Sequence, residues 1–235
     1  MRSQEFKLDN PVWYSLNETH KDFAIDLNGL KFYHPDYCPF GGLKIDHQLT
    51  HASRQFPNSV ENFYLFGEKP RFNDDLALGE TLTCHQMLLN NPIETKISEH
   101  IIELKSPGQK AELYELVHAA LPTLYKHKSS LLGKHYGIYK KDRLVAIIGE
   151  RLKMNAFTEI SSVVTHEDHR GKGYAKQLLK FATDQIFNEN KTPYLHVVES
   201  NTGAINLYKK LGFYTRRTIK CWNIIPRNQK KVAFG

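Results

Sequence analysis

The stretch VVTHEDHRGKGYA, residues 163–175, sets a β-branched run against Arg170-Gly171-Lys172-Gly173, and an apolar-periodic segment follows. That succession reads as a strand feeding through glycines into a helix. Unsatisfied backbone N–H groups at a helix N-terminus, together with the helix dipole, favour an anion there. Glycine lets a phosphate approach the backbone without meeting a Cβ, and Arg170 and Lys172 supply cations. The same residues also suit a tight turn on a basic surface. The loop lacks the spacing of a Walker A motif, and Tyr174-Ala175-Lys176 puts no third glycine where a dinucleotide fingerprint needs one. His166 and His169 have no nearby third ligand, so they are expected to flank the turn, and no metal is expected.

Two further places hold reactive side chains. NTGAINLYKKLGF reads as a short helix with Asn201 as N-cap and Gly212 just past its end. Tyr208 lies on its apolar stripe with Ala204, Leu207 and Leu211. Glu159 opens EISSVVT, a strand whose alternation places Glu159, Ser161, Val163 and Thr165 on one face. At about 3.3 Å per residue, Glu159 lies about 13 Å from Val163. A bulge or a water relay is needed to bring it nearer.

Arg170-x-x-Gly173-x-Ala175 resembles the acyl-CoA pyrophosphate motif of the GNAT superfamily of N-acetyltransferases, and NTGAINLYKKLGF resembles the signature that follows the fifth strand of that superfamily. The resemblance covers residues 99–224. Within it, YLHVVESNTGAINLYKKLGF looks most like the branch that includes glycine N-acyltransferase-like enzymes. The resemblance implies a V-shaped opening between the fourth and fifth strands that takes acetyl-CoA. Val163 and Thr165 would pair with the pantetheine arm, with a strand N–H of Val163 or Val164 as oxyanion donor. The N–H groups of Arg170, Gly171, Lys172, Gly173, Tyr174 and Ala175 would hold the pyrophosphate, and Asn201 would meet the pantetheine amides. Tyr208 matches the general acid that protonates the departing sulfur. Glu159 resembles the glutamate base of histone-acetyltransferase members, with His196 and Glu199 as alternatives. The implied activity is transfer of an acetyl or other short acyl group from acyl-CoA to a primary amine, on a small molecule or a peptide. The rival reading is an idle acyl-CoA-binding regulatory module.

These residues need a scaffold, and the C-terminal pattern supplies one. EHIIEL is a strand, a helix opens at Ser106-Pro107, and KHYGIYKKDRLVAIIGERL reads as a hairpin. AFTEISSVVT, the helix with Ala175, Leu178, Leu179, Ala182 and Ile186 on one stripe, TPYLHVVES, the Asn201 helix and FYTRRTIKCWNI complete it. The order β-α-ββ-β-α-β-α-β predicts a mixed α/β sheet with helices on both faces. Residues 1–98 read as an irregular, aromatic-rich α+β region. PVWYSLNETHKDFA suits a helix, and ENFYLFGEKP and ETLTCHQMLL suit strands, with RFNDDLALG looping between them. The glycine N-acyltransferase-like branch can carry a degenerate second acetyltransferase-like half, and this is where it would lie. Residues 99–235 are expected to form the acetyltransferase domain.

Composition agrees with a globular chain: 40% hydrophobic and 24% charged among 235 residues. The net charge of +7 is spread in short groups such as Lys126-His127-Lys128, which argues against a nucleic-acid partner. Cys38, Cys84 and Cys221 lack paired spacing, so reduced thiols and a cytoplasmic location are expected. No apolar run is long enough for a membrane span, and the oligomeric state is left open.

Overall fold

In a computed structural model that describes residues 2–44, 49, 62–72, 74 and 76–227, the expected strands and helices of the C-terminal half all form. The N-terminal part supplies α1 (Pro11–Asn17), β1 (Ala24–Asp26), β2 (Leu30–Tyr33), β3 (Phe40–Leu43), β4 (Phe63–Phe66), β5 (Leu76–Leu78) and β6 (Leu82–Leu88). There follow β7 (Ile101–Glu103), α2 (Pro107–Ala120), β8 (His135–Lys140), β9 (Arg143–Lys153) and β10 (Phe157–Thr165). The chain then runs through α3 (Tyr174–Asn188), β11 (Thr192–Val198), α4 (Thr202–Lys210) and β12 (Tyr214–Pro226).

Local chemistry explains the boundaries. Ser106 and Gln109 form a reciprocal capping box around Pro107, which starts α2. Lys141 and Asp142 both take positive φ, 49° and 60°, a primed two-residue turn whose twist suits the β8–β9 hairpin. The helix expected from Pro11 ends at Asn17, whose side chain donates to the Trp13 carbonyl at 2.6 Å, and a 3-10 turn at Lys21–Phe23 leads into β1. Within RFNDDLALG, read as a loop, Leu76–Leu78 is strand β5, held by pairing with Ile224–Pro226 of β12.

One sheet runs β1-β2-β3-β4-β12-β6-β11-β10-β9-β8-β7, with β5 alongside β12. β3–β4 and β10–β11 are parallel and the other named pairs antiparallel, so the sheet is mixed as predicted. It crosses the sequence divide at residue 98, because β6 inserts between β11 and β12 and pairs with both.

Alternate residues of β9 divide the two faces: Ala146 and Ile148 pack with α3 and α4, whereas Ile147 packs with α2. Helix α3 buries Leu178, Leu179, Ala182 and Ile186 completely or nearly so. Each such leucine contributes about 1.5–3 kcal/mol. Below β11 and β12, Val12 and Leu16 of α1 join Leu88, Phe157, Tyr194 and the three cysteines in a third core. Those cysteines are unbonded and buried, and burial raises the Cys84 thiol to about 11.

The contact of α1 with β3 is close. A Cβ on Gly42 would lie 2.3 Å from the Trp13 backbone nitrogen. Since that atom cannot swing aside, Gly42→Ala is expected to lower unfolding stability by about 1–3 kcal/mol, read from denaturant midpoints.

Candidate active site

β10 and β11 pair in parallel only from Phe157–Thr192 to Ile160–Leu195. Beyond that, β10 continues to Thr165 and β11 to Val198 without pairing to each other, which leaves an opening between them. A bulge shapes the β10 wall. The register with β9 shifts between Ser161–Gly149 and Val164–Ile147, so Ser162 and Val163 face one residue, and Ser162 takes φ 52°.

The bulge breaks the expected alternation. Glu159 lies on the side of the N-terminal core, but Val163 packs against the α3 cluster and Val164 against the α2 cluster. The His166 N–H donates to the Val145 carbonyl, so by alternation the backbone of Val164 also faces β9 while Val163 and Thr165 face the opening. Val163 and Thr165 thus sit where a ligand strand can pair. Val164 does not, because its backbone is committed to Ile147.

At the mouth of the opening the Arg170 N–H, expected to be free for an anion, donates instead to the Glu167 carbonyl at 3.2 Å, closing the 3-10 turn before the glycines. Gly171 and Gly173 adopt φ of 76° and 77°, which favour glycine, and a Cβ built on either meets no atom within 4 Å. Gly173 is the N-cap of the 15-residue α3 and offers no side chain to its first turn. Among the described residues no acceptor takes the N–H of Gly171, Lys172, Gly173, Tyr174 or Ala175. Arg170 and Lys172 are exposed beside this row, and their side chains lean on the carbonyls of Thr165 and Asp168. His166 accepts from Arg143 at 2.6 Å, a loop contact. These free donors at a positive helix end form an anion cradle.

Asn201 caps α4 through its Oδ1, which accepts from the Ala204 N–H at 3.1 Å. Its amide NH₂ is directed to no described protein group. Gly212, with φ 93°, follows the helix as predicted. Tyr208 is 8% exposed, and burial pushes its phenol up to about 12. Its ring packs on Phe213, and the hydroxyl takes no hydrogen bond from the described residues.

Glu159 is differently placed from a free base. Its carboxylate is fully buried and accepts two bonds of 2.8 Å from Arg151, one of 2.7 Å from His196 Nδ1 and one from the Leu152 N–H. Burial alone would raise its pKa, but the Arg151 charge and these hydrogen bonds hold it at about 2. The expected base is therefore engaged on every side.

His196 is locked in turn. Gln86 uses its amide NH₂ on the Leu8 carbonyl and on His196 Nε2, while its oxygen accepts from Arg216. Arg216 and Arg217 both reach Asp9. The Arg216 bond fixes which way the Gln86 amide points, so His196 keeps its proton on Nδ1 and a lone pair on Nε2. Sequence reading missed Arg151, Gln86 and Arg216. The available signal was an arginine inside the apolar run LVAIIGERL, since a buried cation needs a buried anion. Glu199 is exposed beyond the end of β11.

Residues 135–223 match the FR47-like protein family. Over 79 residues the chain is 32% identical to the uncharacterized N-acetyltransferase YobR of Bacillus subtilis (strain 168), a match spanning 33% of this chain and 32% of that protein. A GNAT-family structure from Novosphingobium aromaticivorans superposes with TM-score 0.86 at 25% identity, covering 94% of this chain and 99% of that one. A GCN5-related N-acetyltransferase from Kribbella flavida shares the fold at TM-score 0.60 and 13% identity, over 92% and 94% of the two chains. With its strands parted above an open glycine turn, the chain shares over nearly its whole length the fold of a GNAT-family acetyltransferase structure.

Proposed function

We propose that the chain is an acyl-CoA-dependent N-acyltransferase that moves an acetyl or other short acyl group to a primary amine through a tetrahedral intermediate. The observation that carries this reading is the row of unclaimed N–H groups from Gly171 to Ala175 at the mouth of the β10–β11 opening. Val163 and Thr165 hold the pantetheine arm by strand pairing. The turn, Arg170 and Lys172 hold the pyrophosphate, and the Asn201 amide reaches the arm from α4.

Chemically, three tasks remain. The Val163 N–H faces the opening and stabilises the developing oxyanion. Tyr208 donates to the departing sulfur. Its phenol, at about 12, is more than three units above an ordinary thiol, so full transfer is uphill by about 5 kcal/mol. Tyr208 therefore acts by hydrogen-bonding the thiolate as it forms. Removing a proton from the incoming ammonium is the third task, and Glu159, held by Arg151, serves it only as an anchor for the β9–β10 wall. The motif at 194–213 supports assignment to the glycine N-acyltransferase-like branch. The reading takes a cytoplasmic enzyme with a small-molecule or peptide amine as acceptor.

Isothermal titration with acetyl-CoA, followed by transfer assays on a panel of small amines, amino acids and lysine peptides, tests it. Binding with turnover supports the enzyme, binding alone the idle module, and no binding rejects both. Gly173→Ala sharpens the donor side. The alanine is strained at φ 77° by about 1 kcal/mol and puts its methyl into the cradle. Acetyl-CoA affinity is expected to fall at least tenfold while the fold persists, as read by titration and thermal melting.

A further inference from the structure

If Glu159 and His196 are saturated, the acceptor's proton needs another destination near the opening. Glu150 of β9 lies beside Ile160, the last β10 residue paired to β11. Its side chain is 1% exposed. Oε2 accepts from Lys153 Nζ at 2.6 Å and from the Lys134 N–H at 3.2 Å. Oε1 is buried and reached by no described protein group. A buried carboxylate oxygen without a partner is costly, so it demands one.

The partner has a place. Glu150 lines a cavity of about 20 Å³ shared with Ser161 and Ser162 of the bulge and with Tyr125, Ser129 and His135. A water needs about 10–15 Å³ and two to four polar neighbours, so the space suits one molecule. His135 Nδ1 faces the Gly133 carbonyl and Nε2 faces the Tyr125 hydroxyl at 3.4 Å, while burial keeps the ring neutral, at about 4. Tyr125 therefore turns its proton to His135 and keeps its oxygen lone pairs for the cavity. Ser161, which lines the cavity, is also the first β10 residue beyond the β11 pairing, so one residue borders both the cavity and the start of the opening.

We infer that one water in this cavity links the opening to Glu150, and that Glu150 is the proton acceptor for the attacking amine. This rests on the transferase reading above. The ammonium gives one proton to the water, which passes one to Glu150 Oε1. The nitrogen lone pair then forms the C–N bond and the C–S bond breaks. The second nitrogen proton goes to the thiolate beside Tyr208, and Glu150 later returns its proton to solvent. The charged or titratable groups around Glu150 are Lys153 and Arg151 on its own strand, Lys134, His135 and Tyr136 at the start of β8, Tyr125 after α2, and Glu189 beyond α3, which pairs with Lys134.

The test compares the full chain with Glu150→Gln and Ser161→Ala, using acetyl-CoA and the amine panel from pH 6 to 9.5. For Glu150→Gln, kcat at pH 7 should fall about 10²- to 10³-fold at unchanged acetyl-CoA affinity. The deficit should shrink as pH rises and the amine arrives deprotonated, a recovery that mere structural damage does not produce. Activity within twofold of the parent at pH 7 overturns the assignment. Should Glu150→Gln not fold, Ser161→Ala decides: a fall of about tenfold supports the relay, and none overturns it. A crystal structure of the parent should show one water on Glu150 Oε1, and a protein partner there overturns the site. If the parent binds acetyl-CoA yet acylates no amine, the transferase reading and the base role fail together, and the crystal alone decides the water.

Discussion

Tyr208→Phe is expected to lower kcat about 10²- to 10³-fold and to leave acetyl-CoA affinity within about twofold. The split follows from where the residue sits. Its ring belongs to the α3–α4 core, with Phe213 against it, and phenylalanine keeps that packing. Only the hydroxyl is lost, and it bonds to no described protein group, so folding stability should hold. The ground-state thioester needs no proton on sulfur, whereas the departing thiolate does; the missing donor is felt only in the transition state. A phenol near 12 stays protonated throughout the working range, so the parent should show no loss of rate from Tyr208 ionisation below about pH 11. Steady-state kinetics with a titration of acetyl-CoA separates the two quantities. Full turnover in the variant removes Tyr208 from the reaction.

Arg151→Met carries the largest expected loss of stability, about 3–5 kcal/mol, because it leaves Glu159 sealed in the core without its cation, held only by His196 and the Leu152 N–H. At roughly 2–4 °C per kcal/mol for a chain of this size, the melting temperature should drop by about 6–20 °C. The methionine still fills space against Phe40, over whose ring the guanidinium lies at 4.6 Å. Adding Glu159→Gln should recover more than half of the loss, since no unpaired charge is then buried. Lack of recovery would show that packing, not charge, held the site.

The pair also gives a pH dependence of definite sign. Glu159 is held at about 2 in the folded chain against 4.5 for the ordinary group, a depressed value. Its contribution, on the order of 3 kcal/mol, is fully present above about pH 4.5 and is lost as pH falls toward 2. Glu159→Gln should flatten the acid side of the stability curve, measured by denaturant titration between pH 6 and 3.

Features resting on local rules were legible in the sequence: the Asn201 cap, Gly212 past α4, the stripe of α3 and the glycine turn before it. Each depends on residues within one or two turns of one another. The β10 bulge was not legible, because Ser162 is displaced by pairing with β9 and not by anything in EISSVVT itself. The alternation that put Glu159 and Val163 on one face failed for that reason. The partner of Glu159 was hidden differently. Arg151 lies eight residues earlier on a neighbouring strand, and Gln86 and Arg216, which complete the chain of bonds, are 130 residues apart in the sequence. Strand β5 was missed because Leu-Ala-Leu is too short to show a period, and its pairing with β12 is long-range.

The seating of β6 between β11 and β12 has a consequence in time. Thr83 of β6 touches Lys220 of β12, 137 residues later in the chain, so this part of the sheet joins a strand from the first half of the chain to the last strand made. During synthesis the β10–β11 opening can be outlined early, but its floor is fastened only when β12 leaves the ribosome and finds β6. Closing so long a loop is entropically slow, and contacts of this separation set folding rates more than they set stability. Until then β11 and β6 can pair but lack their outer neighbour. The β10–β11 opening should be the last region to gain protection from hydrogen exchange, well after the β8–β9 hairpin and the helix that packs on it.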